Sequence, residues 1–299
     1  MIHFNHISYI FRFIFIGSLL SLSSCTESID IKTDNSKPVI VIYGTITNIP
    51  AYQEVRISSS TGYFDNNSNP KISGAKVSIS SDSEKYDLQE VSSTPGLYRT
   101  NKQISGVLGK NYHLRVEVDF DQDGLNEIYE ADEKMEKPIQ LDSIDVSKDI
   151  KSGYTFYSLN VYAQEPASED HYMCRYQIND SIYNKISRYI IFDDISINNQ
   201  YVKGLSIWHF PDTGDKDLYS DDDVKNMTFM NAGDSIKLQM GIISKGYFKF
   251  LTQCQQEMNG EDPFFGGPLS NIDTNISNGG IGYFAVYYIS EARSVVPNK

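Results

Sequence analysis

The sequence predicts a mainly β protein, and three observations carry that prediction. Short runs rich in Val, Ile and Tyr recur along the chain. Most alternate apolar and polar residues with period two, and Gly, Pro, Asn and Asp separate them. Only residues 245–258 show the three-to-four spacing of a helix, through Tyr247, Phe248, Leu251, Cys254 and Met258. Together these predict an Ig-like or transthyretin-like antiparallel β-sandwich over residues 38–137. A second β-rich domain, carrying the helix, is expected over 138–299.

The first 24 residues stand apart from that pattern. A polar start leads into the apolar run 9–20, which is too short for an ordinary transmembrane helix and reads as a signal-peptide core. Arg12 is its only strong cation. The run ends in Leu22-Ser23-Ser24-Cys25, small residues before a cysteine, as in a bacterial lipobox. That reading implies a diacylglycerol thioether on Cys25 and cleavage before it. Acyl chains there would hold the protein on a membrane, each buried CH₂ contributing about 0.8 kcal/mol. The other reading is a cleaved secretory signal followed by a chance cysteine. Residues 25–37 are polar and aperiodic, which suits a tether.

From Pro38 the strands follow in order. Residues 39–46 form a β-branched run, and 55–58, 75–79 and 112–118 alternate with period two. Pro138 marks a plausible boundary, after which 144–146, 157–162, 172–178, 235–240 and 282–289 read as strands. Residues 193–232, rich in Asp, Asn and Gly, read as long loops.

The 26 Lys and Arg against 39 Asp and Glu give a net charge of −13, which repels nucleic-acid phosphates and anionic headgroups. With Cys25 lipidated, Cys174 and Cys254 remain; in an oxidising envelope they could pair or stay as two buried thiols.

The ordered motifs resemble the Bacteroidota outer-membrane lipoproteins grouped as domain of unknown function 4249. The residues that carry the resemblance are Cys25 to Ile31 after the lipobox, Val41 to Asn48, Ile57 to Ser60 with Tyr63 to Asp65, and Ile72 to Ile79. Gly96 to Tyr98, Gly106 to Leu114, Pro263-Phe264 and Asn271 to Phe284 complete the set. The resemblance implies a Gly- and Tyr-rich sandwich followed by a second β-rich domain. It also implies an accessory role beside TonB-dependent outer-membrane transporters, on the surface or the periplasmic face. It carries over no catalytic residue.

Nothing in the motifs points to an enzyme: Gly-x-Ser-x-Gly, His-Glu-x-x-His and a phosphate-cradling Gly-rich loop are all missing, and His113, His171 and His209 are isolated in sequence. The expectation is a non-enzymatic protein without a required cofactor, acting as a transporter accessory in nutrient capture or gating. A structural or adhesive module contacting proteins or glycans is the alternative. Phe264 and Phe265, adjacent rings in the turn 263–268, are candidate partner or ligand contacts. The run 212–223, with six aspartates, reads as a solvated acidic loop.

One further stretch, DFDQDGLNEIYE at 119–130, fits the spacing of an EF-hand calcium loop but has strands on both sides instead of helices. The hairpin here is longer than is usual in relatives of the family it resembles. A two-residue turn at Asp123-Gly124 would set Val118 opposite Tyr129 and Val116 opposite Ala131. The same register sets Glu117 opposite Glu130, where like charges repel. Asp119, Asp121, Asp123 and Glu130 are therefore candidate Ca²⁺ ligands, with a metal-free acidic hairpin as the other reading.

Overall fold

Alternation along residues 40–47 puts Ile40, Ile42 and Ile46 on one face, each no more than 1% exposed. The same rule builds most of the architecture in the computed structural model, which describes residues 38–60, 70–82, 84–194, 199–259 and 272–298. Cys25 with its lipobox, and the Phe264-Phe265 turn, lie outside the described residues.

The strands are β1 (Ile40–Thr47), β2 (Glu54–Ser59), β3 (Lys76–Ser81), β4 (Glu84–Glu90), β5 (Leu97–Thr100), β6 (Asn111–Val118), β7 (Glu127–Lys134) and β8 (Gln140–Lys151). They continue with β9 (Tyr154–Gln164), β10 (His171–Ile178), β11 (Ser181–Tyr183), β12 (Ile190–Asp193) and β13 (Tyr201–Pro211). A short helix α1 (Asp221–Asn226), β14 (Ser235–Ile243), the helix α2 (Lys245–Asn259), β15 (Ile281–Tyr287) and β16 (Ser290–Val295) complete the chain.

The first sheet runs β15-β1-β2-β5-β4-β3-β6-β7. Its two ends approach each other, for the Ser277 N–H just before β15 donates to the Glu130 carbonyl of β7 at 2.8 Å. The sheet thus curls toward a barrel around Ile42, Val55, Ile57, Ile79, Val116 and Phe284. A second core lies between the three-stranded sheet β13-β9-β8 and the five-stranded sheet that contains β11, β10, β12, β14 and β16. The protein is mainly β, built from packed sheets.

Pro138 does precede a change of sheet, but the chain does not divide there into two sequential halves. Residues 38–299 form one compact unit, because β15 returns to pair in parallel with β1, Val41 with Ile281 through Thr47 with Tyr287. One face of β15 gives Phe284 and Val286 to the first core, and the other gives Tyr283, Ala285 and Tyr287 to a third cluster. That third cluster holds Tyr247, Phe250 and Leu251 of α2 with Met173 and Ile243 of the second sheet system. A strand covered on both faces reads as a continuous apolar run, as 283–287 does.

The helix forms where its spacing predicts. Ser244 caps it by accepting from the Tyr247 N–H at 3.2 Å, and Tyr247 reaches Tyr43 of β1 by a hydroxyl–hydroxyl hydrogen bond of 2.7 Å. Two asparagines act as stand-in peptide groups. Asn275 accepts from the Phe284 N–H and donates to the Phe284 carbonyl at 3.0 and 2.8 Å. Asn48 does the same for Ile289 at 2.6 and 3.1 Å.

Two expectations are corrected. The segment 193–232 is not all loop, since β13 occupies eleven of its residues. Register shifts between Lys203 and Leu205 and between Ser206 and Trp208 break the period-two pattern there. The Cys174–Cys254 disulfide is not formed; both thiols are free. Cys174 is buried in the second core, whereas Cys254 packs from α2 against the third cluster. Burial pushes the Cys174 thiol up strongly; burial and then Glu257 push Cys254 up to about 11, so neither is a ready thiolate at neutral pH.

In protein that begins after Cys25, a thiol reagent should label Cys254 slowly and Cys174 only after denaturation. Mass spectrometry without reductant should show no bridge. A second expectation follows from Gly282, whose φ of +107° and packing leave no room for a Cβ, which would collide with the Ile42 carbonyl. Gly282→Ala should lower the stability measured by urea unfolding by more than about 2 kcal/mol.

Candidate functional site

The acidic hairpin joins β6 to β7 through residues 119–126. Its register differs by two residues from that of a two-residue turn: Val118 lies opposite Glu127, Val116 opposite Tyr129 and Leu114 opposite Ala131. Because the slip is even, every side chain keeps its face, and Val116, Val118, Tyr129 and Ala131 are still buried together. The loop is longer than a tight turn, with Gln122 and Gly124 at φ of +62° and +92°.

The slip changes the candidate ligand set. Glu130 now lies opposite Arg115, and the Arg115 guanidinium pairs with both Glu130 and Glu117. The expected repulsion between those two glutamates is thereby removed, and Arg115 holds the Glu117 carboxyl below the usual range. Glu130 therefore leaves the proposed set. Glu127, within the quoted stretch but passed over for the EF-hand's twelfth position, takes its place. Ligand oxygens of Asp119, Asp121, Asp123 and Glu127 lie within 4.8 Å of one another.

Backbone donors shape this loop. Asp119 accepts from the Gly124 N–H at 3.0 Å and Glu127 from the Phe120 N–H at 2.7 Å. Asp121 accepts from the Asp123 N–H at 3.2 Å, and Asp123 from the Leu125 N–H at 2.8 Å. These local bonds are the Asx-turn chemistry that folds an acidic loop without metal. Yet Oδ1 of Asp119 is shut off from solvent and has no hydrogen-bond partner. Calcium–oxygen distances of about 2.3–2.6 Å put ligands on opposite sides of the ion at about 5 Å, which matches the spread of these oxygens.

The other sequence candidates have structural surroundings. Asp212 caps a 3₁₀ turn by accepting from the Gly214 N–H at 2.7 Å, and also accepts from the Tyr157 hydroxyl at 2.6 Å. Ser220 caps α1. The aspartate-rich run 212–223 is thus organised by its own helix ends. Ser158, 2% exposed, touches Nδ1 of His209 at 2.8 Å and also bonds Asp149. The serine lies between the acid and the imidazole, whereas nucleophilic catalysis needs the imidazole between the acid and the serine. Among the described residues no helix is long and apolar enough to cross a membrane.

One surface was missed in the sequence. On β13, the edge strand of the three-stranded sheet among the described residues, Leu205 pairs beside Val161 and Trp208 beside Leu159. Ile207 between them packs on the second core, while Leu205 and Trp208 are 37% and 45% exposed. A lone Trp within a segment otherwise read as loop was the available signal.

No curated protein matches the chain. The family model described as domain of unknown function (DUF4249) matches residues 26–293 of the 299. The chain belongs to the DUF4249 family.

Proposed function

We propose that this protein is a non-enzymatic outer-membrane lipoprotein, anchored by lipid on Cys25, that acts as a binding accessory of a TonB-dependent transporter. The observation that carries the reading is the junction Leu22-Ser23-Ser24-Cys25, an apolar run closed by small residues and a cysteine and followed by a polar tether up to Pro38. A folded unit tethered in this way stays within reach of partners in the same membrane, which raises their effective concentration. The exposed Trp208 and Leu205 on the edge of β13 supply apolar contact area of the kind that anchors protein interfaces. The acidic hairpin supports a second part of the reading. Asp119, Asp121, Asp123 and Glu127 hold Ca²⁺ and stiffen the tip between β6 and β7.

Affinity purification of the tagged full-length protein from detergent-solubilised outer membranes tests the partnership. A transporter barrel should co-purify, and Cys25→Ser or the pair Leu205→Ala and Trp208→Ala should reduce its recovery. Lipoprotein recovered alone would defeat the reading.

For the hairpin, Asp121→Ala or Glu127→Gln should lower the number of Ca²⁺ ions bound by one, whereas Glu130→Gln should leave it unchanged. At ten times the dissociation constant the hairpin's share of the melting-temperature rise should be about 3–5 °C. Equal loss in the Glu130 and Glu127 variants would contradict this ligand set.

A further inference from the structure

Glu165, Asp170 and Asp194 meet in the second half of the protein, far in sequence from the acidic hairpin. Strand β9 ends at Gln164 and β10 begins at His171, so the six-residue connection between them carries the first two carboxylates. The pairing of β10 with β12 sets His171 opposite Asp193. One step beyond that rung, the same register brings Asp170 and Asp194 side by side. Oxygens of the three residues lie within 4.8 Å of one another.

Unlike the hairpin ligands, these groups are closed off from water. Glu165, Asp170 and Asp194 are 2%, 6% and 1% exposed. Glu165 accepts from the Tyr172 hydroxyl, 2.6 Å from each of its oxygens. Asp170 accepts from the Ser168 hydroxyl at 3.0 Å and pairs with Lys137 at 3.0 Å. Asp194 has nothing comparable: both of its oxygens are buried and neither has a hydrogen-bond partner. Buried carboxylates are normally paired or bound to metal, because an unsolvated charge without a partner is strongly unfavourable. Lys137 offsets one of the three charges, and among the described residues no other cation pairs with the remaining two.

We propose that Glu165, Asp170 and Asp194 form a buried site for a divalent cation of the hard, oxygen-seeking class, Ca²⁺ foremost. A doubly charged ion matches the two uncompensated charges. It would also supply a partner to Asp194, whose oxygens accept no hydrogen bond among the described residues. All-carboxylate surroundings favour such an ion over the softer metals that prefer imidazole or thiolate. Burial first, and then the charges of Asp194 and Asp170, push the Glu165 carboxyl up to about 7 against the opposing hydrogen bond from Tyr172. The competing occupant is a proton shared between Glu165 and Asp194.

The test uses the hairpin variant Glu127→Gln to leave this site as the one under measurement. After chelator treatment the protein is titrated with CaCl₂ and followed by native mass spectrometry and thermal melting. The variant should bind one ion and melt higher in its presence, and adding Asp194→Asn should remove both effects. The ion-free Asp194→Asn protein should melt no lower than its ion-free parent, because the substitution removes repulsion; a merely structural role for Asp194 would lower it. If Asp194→Asn fails to fold, Glu165→Gln substitutes for it. A Glu127→Gln protein that binds no ion at about 10 mM CaCl₂, well above the millimolar constants of weak extracellular sites, would overturn the proposal whatever the other variants do. So would binding that survives in Glu127→Gln combined with Asp194→Asn or Glu165→Gln.

Discussion

Everything in this fold depends on one strand serving two cores. β15 pairs in parallel with β1, joining residues 281–287 to 41–47. Its alternate side chains then divide between the first barrel-like core and the aromatic layer beneath α2. Neither layer is complete without it. A pairing between segments about 240 residues apart must close a long loop, and such non-local contacts go with slow folding. Gly282 is part of the same constraint, since close approach to Ile42 is what lets β15 seat against β1. Asn275 completes it by hydrogen-bonding the Phe284 peptide groups at the position a further strand would occupy.

The arrangement determines where chemistry can sit. Strands packed on a core offer rigid ends, and the acidic groups are at such ends. The hairpin cluster caps β6 and β7, and the buried cluster sits where β9 and β12 end and β10 begins. Loops held by a stiff scaffold place side chains reproducibly, which is what a ligand set needs. The aromatic layer has a different part. Tyr43, Tyr247, Tyr283 and Tyr287 pack against one another and against Phe250, so much of the chain's tyrosine content fills the interior.

What the sequence revealed, and what it concealed, follows from locality. Strands with one buried face, such as β1 and β6, announce themselves by alternation, and α2 by its spacing. β4 does not, because only Leu88 of its seven residues is buried. β13 does not, because two bulges reset its period. The hairpin's faces were legible, since parity survives a two-residue slip, but its pairing was not. Loop length decided whether Glu117 or Arg115 faced Glu130, and Glu127 became a candidate ligand only in the observed register. The proposed disulfide failed for a related reason. Nothing local says that Cys174 and Cys254 point into different cores. Glu165, Asp170 and Asp194 escaped notice altogether, because only the β10–β12 register brings Asp194 to the other two.

Both acidic clusters hold their oxygens within 4.8 Å of one another, yet their electrostatics are opposite in kind. Two unit charges 4.8 Å apart repel by about 1 kcal/mol in water and by roughly 3–4 kcal/mol at the effective dielectric of a protein site. Asp121 and Asp123 of the hairpin are exposed, and all four of its carboxylates accept backbone N–H donors, so water and the loop itself keep their repulsion small. An ion there would gain little from relieving charge and would act mainly by ordering the tip. In the buried cluster water is excluded, and Asp194 has no donor to spread its charge. There the repulsion is several times larger, and Lys137 offsets only part of it. The motif that first suggested calcium is thus the weaker of the two electrostatic arguments, and the stronger belongs to three residues that form no motif.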